Sequence, residues 1–105
     1  MGGAIFETSV LLEIRKALVN RGEEPLIYFW RTSAGVEVDL VVEAAGKLIP
    51  IEVRLSATPR PAMANAILTF REDLEEKAGP GYVVHTGNVR LPLAPYVIAL
   101  PFTEL

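Results

Sequence analysis

Hydrophobic positions along the chain follow two periods, and their succession predicts the secondary structure. From Ile5 to Arg21 the apolar residues recur at three- and four-residue steps, and Gly22 follows where a left-handed helix cap is expected. A second stripe of the same period runs from Ala62 to Lys77 and ends before Gly79. Both segments are predicted to be helices.

Runs rich in aromatic and β-branched residues predict the strands. They are Pro25–Arg31, Val36–Glu43, Leu48–Leu55 and the shorter segments GYVVHT and PYVIAL. The prolines that bound the last segment argue against a central position in the sheet at its ends. The resulting order, α-β-β-β-α-β-β, predicts an α/β fold in which helices flank a mixed sheet, as a single domain over residues 1–105.

Composition changes this picture in one respect. Half of the residues are hydrophobic, which is rather apolar for a domain of 105 residues, so some apolar surface is expected to face a partner. The net charge of −3, with acids and bases evenly mixed, argues against a protein that coats nucleic acid, but it does not exclude a nuclease with an acidic centre. The absence of cysteine excludes disulfides and thiolate metal sites, and it is consistent with a cytoplasmic protein.

Several other classes are excluded by missing patterns. No G-x-x-x-x-G-K-[ST] phosphate loop occurs, so this chain is not expected to hydrolyse ATP by that route. The longest apolar run, residues 91–102, contains three prolines and is too short to span a membrane. The first residues contain an acid at Glu7 and no basic region before an apolar stretch, so they are not expected to be a signal peptide.

The candidate chemistry lies on the second and third strands. If Ala45-Gly46 forms a two-residue loop, antiparallel partners have numbers that sum to 91, which places Asp39 opposite Glu52. The same register places Glu37 opposite Arg54, with all four side chains on one face. A three-residue loop would slip the register and separate Asp39 from Glu52.

Two facing carboxylates repel each other unless a proton or a cation lies between them. Mg²⁺ suits such a pair, because it takes one or two protein carboxylates together with waters and phosphate oxygens. It would polarise a phosphodiester and activate water, and Arg54 would hold a phosphate oxygen. The alternative from the residues alone is a solvated or salt-bridged patch without chemistry.

The segments FETSVLLEI, YFWRTSAGVEVDLVVE and KLIPIEVRL resemble the PD-(D/E)XK nuclease superfamily. More narrowly, they resemble the domain of unknown function that follows the ATPase module of archaeal and bacterial AAA-type ATPases. The resemblance covers Phe6 to about Pro101 and implies a restriction-endonuclease-like α-β-β-β-α-β core. It also implies that Asp39 and Glu52 are metal ligands for Mg²⁺ or Mn²⁺, and that Glu7 is the acid that completes the site.

Arg54 departs from the superfamily pattern, which has lysine at this position. A guanidinium stays protonated, so general-base catalysis by Arg54 is not expected. Arg54 could instead be a clamp that pairs with Glu37 or bridges Asp39 and Glu52, which would leave a nuclease relic held together without metal. Glu7, in turn, could be an ordinary N-terminal acid favoured by the helix dipole.

Two functions are therefore predicted. The first is a catalytically degenerate accessory domain of an AAA-type ATPase system, used for interaction or DNA recognition. Its partners would be the ATPase domain missing from this chain, DNA or a second copy, and the chain would be a truncated or split-off part. The alternative is an active Mg²⁺-dependent DNA endonuclease that uses Asp39 and Glu52, with Glu7 and Arg54 assisting.

Other residues are given structural interpretations. His85 is the only histidine and is predicted to be a strand residue and not a metal ligand. Tyr28, Phe29 and Trp30 are predicted to lie in the core, although aromatic side chains of this kind can stack on bases. The scattered basic residues are predicted to form a solvated surface.

Overall fold

The computed structural model describes residues 2–105, in which six strands form one mixed sheet with a helix on each face. The sheet order is β1-β2-β3-β4-β6-β5. In chain order the elements are α1 (Gly2–Asn20), β1 (Ile27–Arg31), β2 (Glu37–Ala44), β3 (Lys47–Arg54), α2 (Asn65–Leu74), β4 (Gly81–His85), β5 (Leu91–Ala94) and β6 (Val97–Pro101). The predicted α/β class, a mixed sheet flanked by helices, is confirmed.

The hairpin of β2 and β3 has the predicted register. Its turn consists of Ala45 and Gly46, whose φ angles are 52° and 76°. Two successive positive φ angles define a type I′ turn, whose twist matches that of the flanking strands. The ladder runs from Ala44↔Lys47 to Leu40↔Ile51, so the partners' numbers sum to 91 as predicted.

The direction of the strands changes at β3, which is antiparallel to β2 but parallel to β4. The crossover between β3 and β4 contains α2, flanked by short 3₁₀ turns at Pro61–Ala64 and Glu75–Lys77. The predicted helix over 62–77 is therefore three pieces. The last break lies at Glu75, whose φ of 50° cannot continue an α-helix.

The C-terminal strands differ from the prediction. β5 was not predicted, and it places β6 inside the sheet, between β4 and β5. The prediction that a bounding proline avoids a central position holds at Pro101, because Pro101 pairs with His85 of β4 while β5 pairs only residues 97–99 of β6. The proline thus has a strand neighbour on one side only.

The core has two layers, one on each face of the sheet. On the α1 face, buried residues from α1 and three strands, β2, β3 and β4, pack together; they are Val10, Leu18, Leu40, Val42, Ile51, Val53 and Val84. On the α2 face the buried residues are Val38, Val41, Phe70 and Ala78, with Ala64, Ile67, Val83 and Val97 beside them. Within residues 2–105, neither helix combines the length and apolar character needed to cross a membrane.

Candidate functional site

The candidate site begins at an irregularity in β2. Phe29 of β1 faces both Asp39 and Leu40, because the register of the two strands shifts by one residue at this point. Such a β-bulge alters the direction of nearby side chains and is common beside functional sites. Its effect is visible in the core, where Val38 packs on the α2 face although Leu40, two residues later, packs on the α1 face.

The two predicted acids lie where the ladder between β2 and β3 ends, beyond the Leu40↔Ile51 pair. The backbone N–H of Asp39 donates to Oε1 of Glu52 at 3.0 Å. The backbone N–H of Val53 donates to Oδ2 of Asp39 at 2.8 Å. Each carboxylate thus accepts a hydrogen bond from the backbone of the opposite strand, which satisfies donors that the separating strands no longer pair.

Arg54 binds both acids. Its Nη1 lies 3.1 Å from Oδ2 of Asp39 and its Nη2 lies 2.6 Å from Oε2 of Glu52. Nη1 also donates to the carbonyl oxygen of Val53 at 2.9 Å. Of the arrangements that the sequence left open, the structure therefore has the one in which Arg54 bridges Asp39 and Glu52.

The predicted pairing of Glu37 with Arg54 does not form. Glu37 is the ladder partner of Arg31 in β1, and Arg31 Nε lies 3.2 Å from Glu37 Oε1. Because the ladder between β2 and β3 stops at Leu40, Glu37 has no partner position on β3. The predicted position of Glu37 opposite Arg54 was therefore wrong, although Glu37 lines the same surface depression as Asp39.

Burial shapes the electrostatics of the site. Glu52 is 1% exposed, and this burial, together with the charge of Asp39, raises the pKa of its carboxyl to about 7. The hydrogen bond from the Asp39 N–H and the charge of Arg54 act in the opposite direction but do not offset the loss of water. The side chains of Asp39 and Arg54 are more open, at 23% and 37% exposed.

The residues present do not fit a divalent metal ion in this arrangement. Both carboxylate oxygens of Glu52 and one of Asp39 already accept hydrogen bonds, two of them from the guanidinium. Among residues 2–105 no group of three or more His, Cys, Asp or Glu residues is placed to hold a metal ion. Asp39 and Glu52 are brought together as predicted, but the cation between them is Arg54.

Glu7 lies near the pair without joining it. It lines a surface depression together with Phe29, Trp30 and Asp39, so α1 does bring this acid to the hairpin. Partial burial raises the pKa of the Glu7 carboxyl, the charge of Asp39 adds to this effect, and Arg54 lowers it. Both charged groups therefore affect the pKa of Glu7, although no described hydrogen bond joins Glu7 to them.

Over residues 2–105 the chain matches the family described as a domain of unknown function, DUF4143. The chain belongs to the DUF4143 family. The match covers every described element from α1 to the final 3₁₀ turn at Phe102–Glu104. The geometry of the Asp39, Glu52 and Arg54 side chains is therefore that of a DUF4143 domain.

Two curated proteins, both described as uncharacterized, are similar to this DUF4143 chain. They are Rv2008c of Mycobacterium tuberculosis and Mb2031c of Mycobacterium bovis, each 30% identical to it over 103 residues. The match covers 98% of the chain but 22% of each relative, so the chain spans less than a quarter of their length. No solved structure matches the chain.

His85 of the DUF4143 domain has a structural role. It is fully buried at the end of β4, where its Nε2 lies 2.8 Å from the carbonyl oxygen of Val89. The backbone N–H of Gly87 donates to its Nδ1 at 3.0 Å. Both ring nitrogens thus bind the loop that follows β4, and the predicted strand position of His85 is confirmed.

The aromatic residues of β1 divide between core and surface. Trp30 packs edge to face on Phe70 of α2, with ring centroids 5.1 Å apart, as predicted for a core residue. Phe29 is 78% exposed, and Tyr28 is also exposed with its hydroxyl donating to Glu43. The core prediction was wrong for these two, because β1 is an edge strand.

Proposed function

We propose that this DUF4143 domain is a catalytically inactive, nuclease-like accessory domain that serves as an interaction module of an AAA-type ATPase system. The observation that carries this proposal is the contact of Arg54 with both Asp39 and Glu52. These are the two residues that a PD-(D/E)XK nuclease would use to bind its metal.

The argument for inactivity follows from charge and donors. The guanidinium supplies the positive charge that two neighbouring carboxylates require, so the fold does not need a metal ion to hold them together. It cannot take a proton from water, because an arginine side chain remains protonated. Three of the four carboxylate oxygens that could bind Mg²⁺ or Mn²⁺, both of Glu52 and Oδ2 of Asp39, already accept hydrogen bonds from Arg54 or from the backbone.

Support for a nuclease-like origin comes from the chain path. The order α-β-β-β-α-β, with two acids at the point where the second and third strands separate, agrees with the restriction-endonuclease-like core that the motifs resemble. A cytoplasmic location agrees with the absence of cysteine. The fold is therefore proposed to be an inherited scaffold whose site now has a structural role.

Support for an ATPase partner comes from the resemblance and from length. The motifs resemble the domain that follows an AAA-type ATPase module, and more than three quarters of each mycobacterial relative lies outside the match. An interaction with protein is favoured over DNA recognition. The net charge is −3, and Arg54, the arginine nearest the site, is neutralised by two acids.

One experiment separates this function from an active Mg²⁺-dependent endonuclease. Plasmid nicking is measured with Mg²⁺ or Mn²⁺ for the wild-type protein and for Asp39→Asn, a variant that keeps the size of the side chain. We expect both proteins to leave the plasmid intact. Metal-dependent nicking by the wild type that Asp39→Asn abolishes would establish the endonuclease and overturn the proposal.

A second experiment tests the interaction. Purification of the tagged chain from its native cells should recover an AAA-type ATPase, identified by mass spectrometry. Titration with labelled duplex DNA should show no binding that salt weakens. Salt-dependent DNA binding without an ATPase in the purified material would favour DNA recognition instead.

A further inference from the structure

The two edges of the sheet are not equivalent. β5, at one edge, contains Pro92, which offers no N–H, and its register with β6 shifts at this position. β1, at the other edge, has the sequence IYFWR, with no proline, lysine or glycine to prevent pairing with another strand. Natural proteins generally protect such edges, so the open edge of β1 requires an explanation.

The backbone of β1 shows which groups face outward. On one side of the bulge, Leu26 accepts a hydrogen bond from the N–H of Glu43, and on the other the N–H of Thr32 donates to Val36. Backbone groups of a strand point alternately to its two sides. The backbone N–H and C=O groups of Tyr28 and Trp30 therefore point toward β2, whereas those of residues 27, 29 and 31 point away from it.

We propose that β1 pairs with β1 of a second copy, antiparallel, about a two-fold axis at Phe29. In this register the three outward-facing residues meet one another, with Phe29 opposite Phe29 of the second copy and Ile27 opposite Arg31. Each of these pairs exchanges two backbone hydrogen bonds. The same strand serves both copies, as a closed two-fold dimer requires.

The side chains favour this pairing as well. Phe29, the most exposed of the large apolar residues described, lies on the axis and packs against its counterpart on the same face of the joined sheet. No like charges face each other, because Arg31 lies opposite an isoleucine. Both sheets then continue through the interface, and each β1 edge is covered.

The dimer goes beyond the proposed function and does not depend on it, since β1 contributes no group to the contacts between Asp39, Glu52 and Arg54. Its failure and the failure of the proposed function are therefore separate results. A competing surface is the outer stripe of α1, where Ile5, Leu12 and Val19 are exposed at seven-residue spacing. This stripe supplies the control variants.

The experiment uses the absence of cysteine from the chain. In the proposed register the Cα atoms at position 29 are about 5.5 Å apart, within the roughly 4.4–6.8 Å that a disulfide spans. At position 28 the two copies are diagonal neighbours about 7–8 Å apart. We expect Phe29→Cys to form a disulfide-linked dimer under mild oxidation, and Tyr28→Cys and Leu12→Cys to remain unlinked.

Sedimentation measures the unmodified association. The wild type should show twice the mass of a single chain, Phe29→Asp should be monomeric, and Leu12→Asp should still dimerise. A wild type that stays monomeric at every concentration overturns the proposal. So does a dimer that Leu12→Asp abolishes and Phe29→Asp leaves intact, or a linked dimer that forms through position 28 and not through position 29.

Discussion

Arg54 Nη2 lies 2.6 Å from Oε2 of Glu52, a carboxylate with almost no access to water. The cation beside this carboxylate is thus supplied by the chain itself. The contact also joins neighbouring elements, because the same guanidinium reaches Asp39 on β2. The stability of the separating strand ends is therefore linked to one side chain.

Arg54→Ala should destabilise the fold by about 1–3 kcal/mol, since it leaves a buried carboxylate without its charged partner. Water that reaches the partly exposed side chain of Arg54 keeps the loss below that of a fully buried pair. Urea unfolding measures it. Arg31→Ala is the matched control, because its exposed pair with Glu37 should be worth about 0–1 kcal/mol. Equal losses in the two variants would contradict a special role for Arg54.

Removal of Arg54 should also change the response to metal. Asp39 and Glu52 then lose their cation, and Mn²⁺ should raise the thermal stability of Arg54→Ala while leaving that of the wild type unchanged. Differential scanning calorimetry with and without Mn²⁺ measures the shift. A shift of the same size in Arg54→Ala with Glu52→Gln would show that the metal binds elsewhere.

As pH rises from about 4.5 to about 7, ionisation of the buried Glu52 carboxyl should lower the stability of the protein. Burial raises its pKa from 4.5 to about 7, so the folded state binds a proton in this range that the unfolded state has lost. Protonated Glu52 contributes on the order of 3 kcal/mol to the free energy of unfolding. This contribution is fully present below pH 4.5 and is lost as pH rises through 7. Urea unfolding at several pH values should show a flatter profile for Glu52→Gln, and identical profiles would refute this.

The turn of the central hairpin contains an unfavourable residue. Ala45 adopts a φ of 52°, a left-handed conformation that costs a residue with a Cβ about 1–2 kcal/mol. Ala45→Asn creates the Asn-Gly pair preferred in type I′ turns and should stabilise the protein by roughly 1 kcal/mol. Ala34→Asn, at an exposed turn residue whose own φ is not positive, should change little. The melting temperatures of the two variants test this prediction. A melting temperature of Ala45→Asn below that of the wild type would count against the assigned turn.

Two glycines should respond oppositely to a methyl group. A Cβ at Gly87 would overlap the carbonyl oxygen of Ala57 and disturb the loop that binds His85, so Gly87→Ala should cost about 1–3 kcal/mol. Gly3, in α1, has open space around it, and Gly3→Ala should stabilise the helix by up to about 0.5 kcal/mol. Thermal unfolding of both variants provides the comparison. An unchanged melting temperature for Gly87→Ala would contradict this prediction and show that the loop can shift to accept the methyl group.

The central hairpin was predictable because its evidence is local. Ala45-Gly46 permits a two-residue turn, and the turn sets the register that brings Asp39 near Glu52. The direct contacts of these acids with the opposite backbone were not predictable. They depend on where the two strands separate and on the bulge opposite Phe29, which three-dimensional packing decides.

Other differences come from rules that context overrides. β5 was not predicted because Pro92 and Pro95 argue against a strand. Proline is unfavourable in strands except at an edge, which is where β5 lies. Phe29 has the composition of a core residue, yet its exposure depends on which strand ends the sheet. The sequence also could not predict which acids Arg54 binds, because this depends on the positions of β1, β2 and β3.

The switch from antiparallel to parallel pairing at β3 has a consequence for synthesis. The turn to β2 is closed within a few residues, whereas pairing with β4 must await the crossover through α2. On the ribosome the acid-bearing hairpin can therefore assemble while its far side is still unpaired. A polypeptide arrested before Gly81 would leave β3 as an uncovered template for aggregation, and prompt completion of β4 is what protects it.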